Sequence, residues 1–267
     1  MMAENSVILA VDERGVATLT INRPEIHNAF DDVLISRLLQ ALDSVEVDPG
    51  VRVVVLRSEG KSFSAGADLN WMRRMADYSE AENLADARML ASLMEKLNGL
   101  SKPTIAQVQG AAFGGGVGLV ACCDMAVAVA GAKFSLSEVR LGLIPAVISP
   151  YVIAAMGERA ARRYFLTAER FDATEALRLG LLHAVVPEGQ LQAQVDDLIE
   201  ELLKGGPGSQ AAAKSLIFAV SRQPTSEAVI EDTARRITAA RSSDEGKEGL
   251  GAFLNKRTPA WISEDLQ

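Results

Sequence analysis

The sequence predicts an α/β fold, and three observations carry that expectation. Runs of apolar, β-branched residues recur at 7–11, 16–21, 51–57, 104–108 and 125–130, as in strands buried within a sheet. Helical stripes lie between them: Leu34, Ile35, Leu38, Leu39 and Leu42 form one, and Leu84, Met89, Leu90, Leu93, Met94 and Leu97 another. Glycine and proline punctuate the boundaries, as at Pro49-Gly50 and Gly99. Such alternation implies parallel pairing. It fits an open sheet, and it fits short β-turn-α units stacked as a spiral.

The elements follow in order. Asp12-Glu13-Arg14-Gly15 has turn chemistry and joins the first two runs as a hairpin. A helix begins near Asp31. The stretch 58–68, rich in Gly, Ser and Ala, reads as a loop. Another helix starts at about Ser79, where Ser79-Glu80-Ala81-Glu82 has capping-box spacing. Ser149-Pro150 reads as an N-cap followed by proline at the first helical position. Asp172 to Glu175 repeats the capping-box spacing, and Gly180 ends that helix. Beyond Glu188 the pattern is helical, near 188–204, 208–222, 224–241 and 244–256, with Gly205-Gly206-Pro207-Gly208 as a joint. The expected organisation is an α/β part over 1–200 and a helical part over 201–267.

Composition excludes several function classes. With 48% hydrophobic residues in 267, a large core can be buried. The net charge of −8 argues against a nucleic-acid partner, which calls for a basic surplus. The cysteines, Cys122 and Cys123, are adjacent, which disfavours an ordinary disulfide and fits a reducing cytoplasm. They read as small buried apolar residues. Only His27 and His183 could add to a metal site, so none is expected. The N-terminus lacks the basic start and apolar run of a signal peptide. Residues 105–123 carry no charge, but Gly110, Gly114, Gly115, Gly116 and Gly118 interrupt them, so a strand, a glycine turn and a buried helix are expected rather than a membrane span.

Three segments point to chemistry. Ser62-Phe63-Ser64-Ala65-Gly66-Ala67-Asp68-Leu69 follows a strand, and its small residues let a ligand approach the main chain. Taken alone it reads as a tight turn. Gly114-Gly115-Gly116 lies between a strand and a helix, which puts bare amides at a positive helix end. It lacks the Gly-Lys-Ser/Thr ending of a phosphate loop and the regular dinucleotide spacing. Glu138 is an isolated carboxylate leading into the apolar stretch up to Pro145. It could act as an acid or base with a raised pKa, or simply pair with a nearby arginine.

Together, in this order, the segments resemble the crotonase (enoyl-CoA hydratase/isomerase) superfamily over nearly the whole chain. Asn22-Arg23-Pro24-Glu25-Ile26-His27-Asn28-Ala29 and Phe253-Leu254-Asn255-Lys256-Arg257 support the resemblance at the two ends. It implies a crotonase-type spiral of ββα units with a helical C-terminal oligomerisation region, forming a homotrimer or dimer of trimers. It implies an oxyanion hole from the Ala67 and Gly115 N–H groups, with Glu138 as the proton-transfer residue. Asn28, Ala65, Asp68, Leu69, Gly114 and Pro145 match substrate- or CoA-binding positions, and Phe253 and Lys256 match positions that reach the CoA of a neighbouring subunit. Many hydratases of this kind carry another glutamate at the position that is Gly118 here. No metal or redox cofactor is implied, since coenzyme A arrives with the acyl-CoA substrate, and a cytoplasmic location is expected.

Local wording around 63–72, 112–119 and 137–150 is similar to bacterial hydratases of 3-methylglutaconyl-CoA and isohexenylglutaconyl-CoA, which serve leucine or acyclic-terpenoid catabolism. That resemblance implies a lyase adding water to C2–C3 of a 3-branched 2-enoyl-CoA. Arg73, Arg74 and Arg140 flank the motifs and are candidates for holding a distal carboxylate. The alternatives are a double-bond isomerase on the same scaffold and a non-catalytic CoA-thioester or RNA-binding relative.

Overall fold

The computed structural model describes residues 6–221 and 223–262. Its strands sort into two sheets by a simple rule. β1 (Val7–Val11) and β2 (Val16–Ile21) form the antiparallel hairpin, and β2 then pairs in parallel with β3 (Val53–Ser58). From there each turn of the chain lays one strand in a large sheet and the next in a small one. Thus β3 is followed by β4 (Ser62–Ser64), β5 (Thr104–Val108) by β6 (Ala111–Phe113), and β7 (Met125–Val129) by β8 (Lys133–Ser135). The large sheet has the order β1-β2-β3-β5-β7-β10, closed by β10 (Ala184–Val186), and the small one β4-β6-β8-β9, closed by β9 (Phe171–Asp172). Helices complete each turn, so the chain climbs as a spiral of ββα units.

Successive turns touch at their corners. Gly110, between β5 and β6, packs so closely on the Lys61 carbonyl between β3 and β4 that a side chain there would collide with it. Gln109 Nε2 donates to the Ser58 and Ser62 carbonyls at 2.9 and 3.1 Å. The core lies between the large sheet and α1 (Asp32–Val47), α3 (Glu80–Gly99) and α8 (Leu191–Leu203). The stripe anticipated for α1 is real, with Leu34, Ile35, Leu38 and Leu42 buried and the Asp31 side chain capping the Leu34 amide.

Several local expectations need correction. The stretch 58–68 contains β4, and α2 (Leu69–Met75) follows it directly. Neither was visible because strands and helices this short carry too few residues to show a period. Ser79 does make the reciprocal capping box with Glu82. Ser149 is not an N-cap: Ile148 takes that position, and the Ser149 hydroxyl donates backwards to the Ala146 carbonyl at 2.7 Å. Asp172 caps the Glu175 amide at the start of α7 (Ala173–Leu179), but the Glu175 carboxylate turns to Tyr164 and Arg178 instead of closing the box.

Past the large sheet, α9 (Pro207–Val220), α10 (Glu227–Ser242) and α11 (Asp244–Leu254) extend from the body, with α5 (Ser149–Met156) and α6 (Glu158–Thr167) lying earlier in the chain. They leave Ile217, Phe218, Ile230, Ile237, Leu250, Phe253 and Leu254 uncovered. α9 is tied back by Gln210, whose Nε2 donates to the Leu202 carbonyl at 2.6 Å, and by a polar node around Asp124. Lys214 Nζ reaches Asp124 Oδ2 at 2.8 Å, and the same oxygen accepts from the Thr104 N–H and hydroxyl at 2.8 and 3.0 Å. Among the described residues no helix is long and apolar enough to cross a membrane.

Because Asp124 serves a buried amide and a largely buried ammonium at once, Asp124→Ala strands both. The expected cost is about 2–4 kcal/mol, read as a lower urea midpoint with an unchanged slope. An unchanged midpoint would mean that the node contributes nothing net.

Candidate active site

Phe30 organises the first half of the site. Its N–H donates to the Gly66 carbonyl and its carbonyl accepts from the Asp68 N–H, both at 2.7 Å. This is a one-residue parallel bridge between Phe30 and Ala67. A bridge of this kind spends the groups flanking Ala67 and leaves the Ala67 N–H on the opposite edge. There Ala67 lines a cavity. The turn needs φ +88° at Gly66, and Asp68 then caps α2 by accepting from the Asn70 and Trp71 amides at 2.7 and 3.1 Å.

The second half comes from the β6–α4 junction, with α4 spanning Gly115–Cys122. Gly114 adopts φ 50° and ψ −119°, a conformation open to glycine alone without strain. Its own N–H is used on the Ser135 carbonyl at 2.9 Å. Gly115 opens the helix, and a first-turn amide has no helical partner. The two turns lie against one another: a Cβ on Gly114 would sit 4.0 Å from the Gly66 Cα, and one on Gly115 would sit 3.0 Å from the Phe30 ring. Neither the Ala67 nor the Gly115 N–H has a main-chain acceptor among the described residues. Two unspent amides, one at a helix N-terminus, therefore border one cavity, an arrangement suited to developing negative charge.

Glu138 stands beside them. β8 ends at Ser135, whose carbonyl holds Gly114, and a 3-10 turn over Glu138–Leu141 begins three residues later. A Cβ on Gly114 would lie 3.1 Å from Glu138 Oε1. Oε2 is buried and has no hydrogen-bond partner among the described residues, and no described arginine or lysine pairs with the carboxylate. Burial raises the Glu138 pKa above the ordinary carboxylate value, against a smaller lowering by a hydrogen bond from its own backbone. The salt-bridged alternative for Glu138 is thus not the one adopted.

The cavity has a volume of about 640 Å³. Ala65, Leu69, Gly114 and Pro145 line it together with Ala67, Gly115 and Glu138. One wall is α2 and the first half of α3, through Trp71, Met75, Asn83, Asp86 and Leu90; the other is the loop running to Ile148. The remaining sequence candidates lie elsewhere. Asn28 is fully buried and wholly used in its turn: Nδ2 donates to the Glu59 and Ser62 carbonyls at 2.7 and 2.8 Å, and Oδ1 accepts from the Arg23 N–H at 2.8 Å. Its place in the site is as a brace, not a contact. Asp68 likewise acts as the α2 cap. Phe253 is 80% exposed at the end of α11 and Lys256 is exposed just beyond it, both outside this chain's cavity. Arg73 bonds Asn70, Arg74 pairs with Asp32, and Arg140 is exposed; none lines the cavity, whose described lining contains no cationic side chain. Cys122 and Cys123 are buried, with burial pushing the Cys123 thiol up to about 12, which removes both as nucleophiles.

The family model described as enoyl-CoA hydratase/isomerase matches residues 12–264. The chain belongs to the enoyl-CoA hydratase/isomerase family. It is similar to the crystal structure of an enoyl-CoA hydratase from Shewanella pealeana, with TM-score 0.94, 46% identity, and coverage of 98% of this chain and 100% of that one. It is 31% identical to the 2,3-dehydroadipyl-CoA hydratase of Escherichia coli over 95% of this chain and 98% of the relative. It is also 31% identical to the crotonyl-CoA hydratase of Syntrophomonas wolfei, over 98% of this chain and 100% of the relative.

Within this enoyl-CoA hydratase/isomerase, position 118 is closed to a second glutamate. A Cβ on Gly118 would collide with Ile148 Cγ2, and would lie 2.9 Å from Ile148 Cβ and 3.3 Å from Met94 Cε. Ile148 thus fills the space that a carboxylate would need. Sequence reasoning missed Phe30, Ile148 and Asp86. Phe30 could have been noticed, because it directly follows the Asn28-Ala29 segment. Ile148 and Asp86 carry no local signal, since only packing brings them to the cavity.

Two outcomes follow from this geometry. Gly118→Glu should lower the thermal midpoint without raising turnover, and adding Ile148→Ala should recover part of the stability lost. A Gly118→Glu variant that is stable and faster would contradict the steric account. Glu138→Gln should cut turnover by about 10²–10⁴-fold yet stabilise the fold at neutral pH. The sign follows from the raised pKa: the folded state holds this proton more tightly than the unfolded chain, so stability is lost as pH rises from the ordinary glutamate value through the folded one. The stability gain from the amide should therefore vanish below the ordinary value, which melting curves across pH will read.

Proposed function

We propose that the chain adds water across the C2–C3 double bond of a 3-branched 2-enoyl-CoA of the 3-methylglutaconyl or isohexenylglutaconyl type, in leucine or acyclic-terpenoid catabolism. The observation that carries the hydration chemistry is a desolvated carboxylate, Glu138, beside two unspent amides on one cavity. The Ala67 and Gly115 N–H groups hold the thioester oxygen as it gains enolate charge. Glu138 takes a proton from water as its oxygen bonds C3, and then returns that proton to C2. Both transfers pass through one carboxyl group, so each atom is accounted for without a partner at position 118.

The branched, acid-bearing acyl chain is supported by the wording of segments 63–72, 112–119 and 137–150 and by the extent of the cavity along α3. The name of the Escherichia coli relative also describes a dicarboxylic acyl group. The uncovered apolar residues of α9–α11 suit the proposed trimer or dimer of trimers, in which Phe253 and Lys256 would meet a neighbour's CoA.

A second reading has one observation in its favour. With Gly118 closed by Ile148, a single carboxylate can also move a proton between C2 and C4 and so act as an isomerase. Turnover of crotonyl-, 3-methylglutaconyl- and longer 3-branched glutaconyl-CoA in heavy-oxygen water separates the readings. Hydration places the label at C3 of the product, with the glutaconyl thioesters turned over fastest. Shifted double bonds with no label would replace hydration by isomerisation.

A further inference from the structure

Asp86 is the only ionisable group besides Glu138 among the described cavity-lining residues. It lies on one face of α3 with Asn83, Ala87 and Leu90, all of which line the cavity. Its Oδ1 accepts from Trp71 Nε1 at 3.2 Å, and Trp71 is itself buried. The indole fixes one carboxyl oxygen and so orients the group on the cavity wall. Leu90 and Met94 continue the helix inward, and Met94 ends against Gly118. Asp86 is two turns before Met94, about 12 Å along the axis, so it stands off from the closed end of the site.

On the glutaconyl reading the acyl chain carries a distal carboxylate, and no described lining residue of this cavity is cationic. Two carboxylates cannot approach each other while both are ionised, but they bind well when they share one proton. We propose that Asp86 is the specificity-determining residue for the acyl chain, and that it holds the substrate's distal carboxyl group through a shared proton. This rests on the glutaconyl reading above. The surroundings favour it. Asp86 has its pKa raised first by burial and further by Asp32 of α1, while the Trp71 hydrogen bond and Arg74 of α2 oppose this. Arg74 is itself engaged by Asp32, Glu138 is the other acid on the cavity, and Asn83 adds a neutral amide. The proton comes from solvent, and the pair retains one negative charge.

The signature is a ratio. kcat/KM for 3-methylglutaconyl-CoA divided by that for crotonyl-CoA cancels the titration of Glu138, which both substrates share. In the unaltered protein the ratio should fall as pH rises, by up to about tenfold for each pH unit above the pair's apparent pKa. In Asp86→Asn the side-chain amide donates to the substrate carboxylate while its oxygen still accepts from Trp71, so the ratio should become flat with pH. In Asp86→Ala the ratio at pH 6 should fall by about tenfold, the loss of one charge-assisted hydrogen bond. A pH-independent ratio in the unaltered protein, or a ratio indifferent to both substitutions, overturns the role of Asp86. Turnover of crotonyl-CoA with none of 3-methylglutaconyl-CoA instead overturns the substrate reading and the role of Asp86 with it.

Discussion

Phe30 touches both halves of the proposed oxyanion site at once. Its backbone bridges Gly66 and Asp68, and its ring lies under Gly115. One residue thereby sets the distance between a loop leaving β4 and a helix leaving β6, although these are far apart in the chain. The bridge also decides which amides are consumed. Gly66 and Asp68 are bonded to Phe30 and Gly114 is bonded to Ser135, while the Ala67 and Gly115 amides on the cavity have no main-chain acceptor among the described residues.

The spiral explains why this is possible. Each turn places a strand in the large sheet and the next strand in the small one, so corners that are distant in sequence stack directly. β4, β6 and β8 are adjacent in the small sheet, and they are followed by Ala67, Gly115 and Glu138 respectively. The groups proposed for catalysis therefore follow three neighbouring strands of one sheet. Small residues at the corners permit the close approach, and rigid strands fix it.

Both ionisable groups on the described cavity lining are acids. Glu138 is desolvated with one oxygen unpaired, and Asp86 is anchored by an indole. Ile148 replaces the space of a further glutamate with hydrocarbon. Burial by itself raises the Glu138 carboxyl pKa, because desolvation disfavours the charged form.

The amino-acid sequence by itself determined the large-sheet strands β1, β2, β3, β5 and β7, the α1 stripe and the inner end of the α3 stripe at Leu93, Met94 and Leu97, the Ser79 capping box and the small-residue turns around Ala67 and Gly115. Those features are local, written in periodicity or in residue types that only one backbone shape accepts. The small sheet escaped it, because strands of two or three residues show no period and are defined by their partners. The tertiary structure alone decided that Asn28 braces a turn, that Gly118 must stay bare against Ile148, and that Asp86 reaches the cavity while Arg73, Arg74 and Arg140 do not. Each of those outcomes depends on which surfaces meet when the spiral closes, and no property of a residue's sequence neighbours encodes such a meeting.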